Sequence, residues 1–173
     1  MTINLEDITL RPYTSADIPV VIERHEVLNW EEFKYPPDKF GKVVSDGLNQ
    51  LVQIDGSQLW IAEYEPPNTD GNEVSSKLWA GSIGVVPMGE KTCQIRFLLV
   101  GSEFRSCGQG QRLLDTALDY CRAEGYKVAA LGTTGDCVAA HKLYTRNGFE
   151  RLKVTQGTPW SKESTLEWWE KKL

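Results

Sequence analysis

The sequence predicts one mixed α/β domain, a sheet of about seven strands flanked by about four helices. Three observations predict it. Apolar spacing switches between periods of two and of 3.6 in the order strand, two helices, three strands, helix, strand, helix, two strands. That mixed order, with three consecutive strands in the middle, implies an α/β sheet with an antiparallel first part. The 173 residues, 40% of them apolar, have the length and composition of a single domain, taken here as residues 1–173.

The elements follow in chain order. "ITLRPY" (8–13) alternates apolar and polar side chains and stops at proline, so it reads as a first strand. In "TSAD", Thr14 or Ser15 is a candidate cap for a helix in which Asp17 meets the first-turn dipole and Ile18, Val21 and Ile22 form the apolar face. The prolines of "YPPDKF" break the chain, and a second helix is expected from about Lys39 to Val52, with Phe40, Val43, Val44, Leu48 and Leu51 at helical spacing. "QLWIAEYE" (58–65) and "KLWAGSIGVVP" (77–87) read as strands joined by the polar, turn-rich loop 66–76, and "TCQIRFLLVG" (92–101) as a central strand. A helix over about 109–124, a strand over 127–133 and a helix over about 136–147 come next, with Asn147 or Gly148 as the left-handed C-cap. Strands near 149–156 and 164–172 close the sheet.

Charge and cysteine content exclude several function classes. The formal net charge is −5, from 24 acidic and 19 basic residues, which disfavours nucleic acid and anionic membrane as partners. Cys93, Cys107, Cys121 and Cys137 contain no CxxC pair, and His25 and His141 complete no metal spacing; structural thiols and no metal are expected. "MTINLEDITLRPY" lacks a basic start followed by an apolar run, so no signal peptide and a cytoplasmic location are expected. A homo-oligomer stays open.

The chemistry centres on "RSCGQGQRLL" (105–114), which follows an apolar strand and opens a helix. A helix N-terminus leaves N–H groups unpaired and carries partial positive charge. Gly108 and Gly110 let the backbone approach a ligand, and Arg105 and Arg112 add charge, so the stretch has the makings of an anion cradle suited to a pyrophosphate. A glycine-rich turn without a ligand accounts equally well for these residues alone. The Rossmann fingerprint fails at Leu113, where its third glycine belongs, and no P-loop pattern is present.

With its flanks, the stretch "QIRFLLVGSEFRSCGQGQRLLDTALDYCRAEGYKVAALGTTGDCVAAHKLYTRNGF" resembles the core of the GNAT superfamily of N-acetyltransferases. Within it, "RHEVLNWEEF", "FLLVGSEFRSCGQGQRLLD" and "TLEWWEKKL" look most like the acetyltransferase half of MarR–GNAT fusion proteins; the winged-helix half is absent, so DNA binding is not implied. The resemblance implies a centrally splayed sheet and an acetyl-CoA (coenzyme A) site. Leu98, Leu99 and Val100 would pair with the pantetheine arm as an added strand would. Arg105, Ser106, Cys107, Gly108, Gln109, Gly110, Gln111 and Arg112 would wrap the pyrophosphate, with Thr133 and Thr134 near the cofactor or acceptor and Cys137 at the cofactor. Tyr144 matches the tyrosine that the family uses as general acid toward the departing thiolate, although packing against the sheet would equally explain it.

Two positions depart from the family pattern. A glutamate that serves some members as general base is Gln94 here, which cannot take a proton; water, Glu31, Glu32 or Glu63 would have to act, and these with Gln94 are the acceptor-pocket candidates. An asparagine common before the "AxxLY" alanine is Cys137. The implied function is transfer of an acetyl group from acetyl-CoA to a primary amine of a small molecule or protein, directly within a ternary complex. The rival is a non-catalytic acyl-CoA sensor, which Gln94 favours. His141 is read as a helix-surface residue, Cys107 as a small filler, and Trp160, Trp168 and Trp169 as packing beside the last strands.

Overall fold

Strand β1 (Ile8–Pro12) is followed by helices α1 (Asp17–Phe33) and α2 (Pro37–Leu51) in the computed structural model, which describes residues 3–66 and 76–173. Strands β2 (Gln58–Tyr64), β3 (Leu78–Pro87) and β4 (Thr92–Val100) come next, then α3 (Gln109–Ala123), β5 (Val128–Thr134), α4 (Val138–Arg146), β6 (Glu150–Gln156) and β7 (Thr165–Lys172). This is the predicted order, with seven strands and four helices. Two short 3-10 turns, Leu5–Asp7 and Ser102–Phe104, are additions that no apolar period announces. Most of the predicted 66–76 loop lies outside the described residues.

Two boundaries differ from expectation for local reasons. Helix α1 starts after Ala16 without a side-chain cap, because Asp17 turns back to accept the Thr14 N–H at 2.6 Å and a bidentate pair from Arg11 at 2.8 Å. Helix α2 starts two residues before Lys39, since Pro37 tolerates N1, where no N–H is needed. Gly148, at φ +80°, is the left-handed residue after α4.

The sheet order is β1-β2-β3-β4-β5-β7-β6, antiparallel except between β4 and β5. Helices α1 and α2 cover one face, with Val21, Phe40, Val44, Leu48 and Leu51 on Leu59, Ile61 and Val86. Helices α3 and α4 cover the other, where Leu113, Leu114, Leu118 and Tyr144 pack on Ile83, Ile95 and Leu131. The four cysteines are free thiols, and the buried Cys93 and Cys121 touch across the β4–α3 contact at 2.8 Å.

β4 carries an extra residue. Ser82 faces Leu99 and Gly84 faces Arg96, so two steps along β3 meet three along β4. Phe97 takes φ +55° there, a left-handed conformation costly for an aromatic residue. The fully buried Ser82 donates its hydroxyl to the Phe97 carbonyl at 2.8 Å, which helps hold the bulge. The bulge breaks side-chain alternation: Ile95 joins the α3 side, Phe97 the α2 side, and Leu98 the α3 side again. β4 and β5 pair only from Thr92↔Val128 to Ile95↔Leu131, and beyond that point the two strands part.

His25 lies buried in α1, its Nδ1–H on the Val21 carbonyl at 2.9 Å and its ring edge-on to Phe97. Burial disfavours the imidazolium and pulls its pKa down to about 4. An unfolded histidine takes its proton below ~6.5, whereas the folded one stays neutral until about 4. Stability supplied by neutral His25 is therefore present in full above pH ~6.5 and falls as pH drops toward 4, with a slope up to ~1.4 kcal/mol per unit. Urea unfolding of His25→Phe between pH 7 and 4.5 is expected to lack this part of the slope; parallel pH curves for the two proteins would contradict it.

Candidate functional site

The parting of β4 from β5 creates the site. Past the bulge, Leu99 and Val100 pair with β3 on one edge, while the β5-side edge of residues 96–100 has no strand partner. Gly101 donates to Ala80 and starts the loop that leads to α3. In that loop Ser106 has φ +64° and Gly108 φ +92°. Left-handed residues alternating with others curl successive N–H groups inward, a conformation suited to anions. Among the described residues, the backbone N–H groups of Ser106 to Gln111 donate to no main-chain or side-chain acceptor. These free donors meet the positive end of a 15-residue helix. Gln109 is 1% exposed, and neither atom of its amide has a partner. Beside the loop lies a cavity of about 500 Å³, bounded by Ile3, Leu5, Glu103, Arg105, Ser106 and Cys107.

The predicted cradle side chains divide by role. Arg105 donates to the Val100 carbonyl at 3.2 Å and pairs with Glu32, which ties α1 to the loop. Arg112 donates through Nη1 to the carbonyls of Leu5 (3.1 Å) and Ile8 (2.6 Å) and pins the first turn of the chain. Gln111 exchanges hydrogen bonds with Asn147 at 2.8 and 2.9 Å and so joins α3 to the end of α4. Cys107 donates to the Phe104 carbonyl at 3.1 Å and packs against the core as a small filler. Gly110 is open, with Leu143 and Val100 at ordinary contact distance from where a Cβ would stand. Leu98 and Val100 rest on the α3-side core, and Leu99 pairs with Ser82.

Around the end of β5 lies a polar network that no sequence motif marks. Tyr35, 4% exposed in the α1–α2 connection, donates to Asp136 at 2.6 Å and receives the Thr134 hydroxyl at 2.8 Å. Burial and the Asp136 carboxylate push its phenol well above the ordinary range, so it stays protonated. Thr134 also lies 3.2 Å from the Cys137 thiol, and Ser164 donates to Asp136 at 3.1 Å. The α1–α2 connection, the end of β5 and the β6–β7 loop are thereby tied together. Thr133 is half-buried opposite Glu167.

His141 is not a surface residue. Its Nε2–H reaches the Thr134 carbonyl at 2.9 Å and lies 3.3 Å from the buried Glu167, which also accepts from Trp169 at 3.0 Å and Arg151 at 3.1 Å. Of the three tryptophans, Trp160 packs away from β7 on Tyr35 and Phe40, because the β6–β7 loop folds over α2. Tyr144 is 6% exposed between Phe149 and Trp169, and its hydroxyl has no hydrogen-bond partner among the described residues. Burial pushes this phenol upward too, keeping it a proton donor at neutral pH.

The acceptor-pocket candidates do not converge. Gln94 sits in the paired part of β4, between Val86 and Ala130. Glu63 lies on β2, two strands from β4, clamped by Arg11 at 2.7 Å and Lys77 at 3.5 Å; the Arg11 guanidinium holds it below the usual carboxylate range. Glu32 is taken by Arg105. Glu31 lines a second cavity of about 190 Å³ with Leu28, Trp79 and Phe104. Among the described residues no group of three or more His, Cys, Asp or Glu is placed to hold a metal, and no helix is long and apolar enough to cross a membrane.

Three comparisons bear on this site. The model of the acetyltransferase (GNAT) family matches residues 24–149. N-acetyltransferase 8B of Rattus norvegicus is 31% identical over 108 residues, which are 62% of this chain and 46% of that protein. The chain thus spans about half the length of the curated relatives it matches. A GNAT-family acetyltransferase structure from Staphylococcus aureus superposes with a TM-score of 0.73 at 20% identity, covering 96% of this chain and 99% of that one. Spermidine N-acetyltransferase from Vibrio cholerae, solved with CoA and spermine, gives 0.69 at 14% identity and covers 96% of both chains.

Backbone geometry separates the two glycines of the loop. Gly108→Ala places a Cβ on a left-handed residue and is expected to cost ~1–2 kcal/mol in urea unfolding. Gly110→Ala, inside the helix and unobstructed, is expected to be neutral or to gain up to ~1 kcal/mol. Equal effects at the two positions would contradict the loop geometry.

Proposed function

This chain belongs to the acetyltransferase (GNAT) family, and from that premise we propose that it moves an acetyl group from acetyl-CoA to a primary amine of a small molecule or protein, by direct transfer in a ternary complex. The observation that carries this reading is the junction of an unpaired β4 edge with the free N–H groups of Ser106 to Gln111. The donor set fits the cofactor: a pyrophosphate matches free N–H groups at a helix N-terminus, and an extended amide-bearing arm matches an open strand edge. The unpartnered Gln109 amide adds buried hydrogen-bonding capacity at the same place. The relatives and solved neighbours described above, one of them holding CoA, agree with it.

When bound, acetyl-CoA supplies the thioester whose carbonyl the amine attacks. Leu98 to Val100 orient its arm, and Ser106 to Gly110 bind its phosphates. Much of the acceleration then comes from holding two reactants in one geometry. Tyr144, kept protonated by burial and without another partner, is the group suited to hand a proton to the leaving sulfur. Gln94 cannot take the proton from the amine, so Glu31 or a water molecule is left to that task, since Glu32 and Glu63 are engaged in ion pairs. Arg112 holds Leu5 and Ile8 through Nη1, which leaves Nε and Nη2 for the pyrophosphate. The amine remains as general as the motifs leave it, and the likeness to the MarR–GNAT half adds no acceptor. A cytoplasmic location belongs to the same reading.

A non-catalytic acyl-CoA sensor is the second reading, and Gln94 is the observation that favours it. Release of free thiol from acetyl-CoA in the presence of a panel of amines decides between them. Under the first reading Tyr144→Phe lowers kcat on the order of 10²-fold while CoA binding persists. An unchanged kcat would contradict the role of Tyr144, and no turnover with retained CoA binding would favour the sensor. CoA at one hundred times its Kd is expected to add ~2.7 kcal/mol to stability; no stabilisation at saturating CoA would overturn both readings.

A further inference from the structure

Arg96 is the first residue of β4 beyond its last pair with β5, and it precedes the bulge. Its neighbour Ile95 faces α3, so Arg96 points to the α1–α2 face. The contacts agree: an added Cβ on Gly47 of α2 would stand 2.5 Å from its guanidinium, and the group lies 5.0 Å from the Phe97 ring centre. Among the described residues the guanidinium has no carboxylate, carbonyl or hydroxyl partner. The nearby carboxylate in α2, Asp46, is turned to Lys42 at 2.8 Å. Arginine has five N–H donors in a planar fork, and a half-buried fork without an acceptor forfeits hydrogen bonds it made in water.

On this face Phe97 is covered by α1 and α2, and the β5 end of the splay is bare. Across the splay lies Gly132, which is exposed and has no side chain. Trp168 and Leu166 stand beside it, about 4 Å from where its Cβ would be. The unpartnered cation beside α2 and the exposed Gly132 thus share one face of the sheet, opposite the loop of residues 106–111, which lies with α3. If the cofactor reaches the splay from the α3 side, the second substrate meets it from this side.

We infer that the acceptor amine also carries a carboxylate, and that Arg96 anchors this carboxylate on the α2 side of the splay. The inference rests on the acetyl-transfer reading and narrows its substrate class to amines of the amino-acid type. The match is chemical: a planar carboxylate takes two parallel N–H bonds from a guanidinium, and an ammonium cannot replace it there. Arg96 is therefore a specificity-determining residue; it does not take part in the transfer of the acyl group.

The test measures acetylation of L-amino acids and of the amines left after their decarboxylation, such as L-phenylalanine against 2-phenylethylamine and L-leucine against isoamylamine. The wild-type protein is expected to prefer the best carboxylate-bearing amine at least tenfold in kcat/KM. In Arg96→Gln that preference collapses through KM, with kcat/KM for the decarboxylated amine retained, and Arg96→Lys restores part of it. Preference of the wild type for the decarboxylated amines, discrimination that survives Arg96→Gln, or turnover only of amines without a carboxylate would each overturn the inference. CoA binding by the wild type with no amine of either kind acetylated, or no CoA binding at all, would instead strike the acetyl-transfer reading; turnover confined to amines without a carboxylate strikes the Arg96 inference alone, which separates the two outcomes.

Discussion

The extra residue in β4 is the constraint on which the rest of the structure depends. A regular strand would keep Ile95 and Phe97 on one face and would continue its ladder toward β5. Here Phe97 adopts φ +55°, the side chains change faces, and the pairing with β5 ends at Ile95↔Leu131. Left-handed backbone at an aromatic residue is unfavourable by roughly 1–2 kcal/mol. The offsetting interactions are visible: the Ser82 hydroxyl on the Phe97 carbonyl, the edge of His25 on the Phe97 ring, and glycines at 81 and 84 that let β4 lie close to β3. The open edge beyond the bulge, the loop that follows it and the helix dipole behind that loop all have their positions set by this break.

The layers, element order and strand count were legible in the sequence because periodicity reports which face of an element is buried. β3 reads as a nearly continuous apolar run, and it is the strand buried on both faces. α2 shows its core stripe from Phe40 to Leu51, and the structure buries that stripe. The bulge was not legible, since "QIRFLLV" has the composition of any central strand and a single inserted residue leaves no compositional trace. The caps were only half legible: Pro37 marks the start of α2, but Asp17 spends its carboxylate on Arg11 and Thr14, a tertiary choice that local preference does not reveal.

The backbone part of the site was easier to read than its side chains. Glycines at 108 and 110 before a helix already mark the turn found there, with Gly108 left-handed and the N–H groups of residues 106–111 free whatever side chains they carry. The arginines behave differently. Arg105 and Arg112 look equivalent on paper, yet Arg112 holds the carbonyls of Leu5 and Ile8, more than a hundred residues away in sequence, while Arg105 joins Glu32. The network of Tyr35, Thr134, Asp136 and Ser164 joins three distant segments, so no local motif announces it. Arg96 carries no motif for the same reason: only the packed structure shows which cations lack a partner.

The central claim is that the open β4 edge and the amides after it form one continuous cofactor surface. Amide hydrogen exchange with and without CoA measures this directly, because exchange slows where a bound group accepts from backbone N–H. The account predicts slowed exchange at residues 97–100 and 106–111 together, with β1 and β2 unchanged. Protection elsewhere, with these two segments exchanging as fast as before, would contradict it.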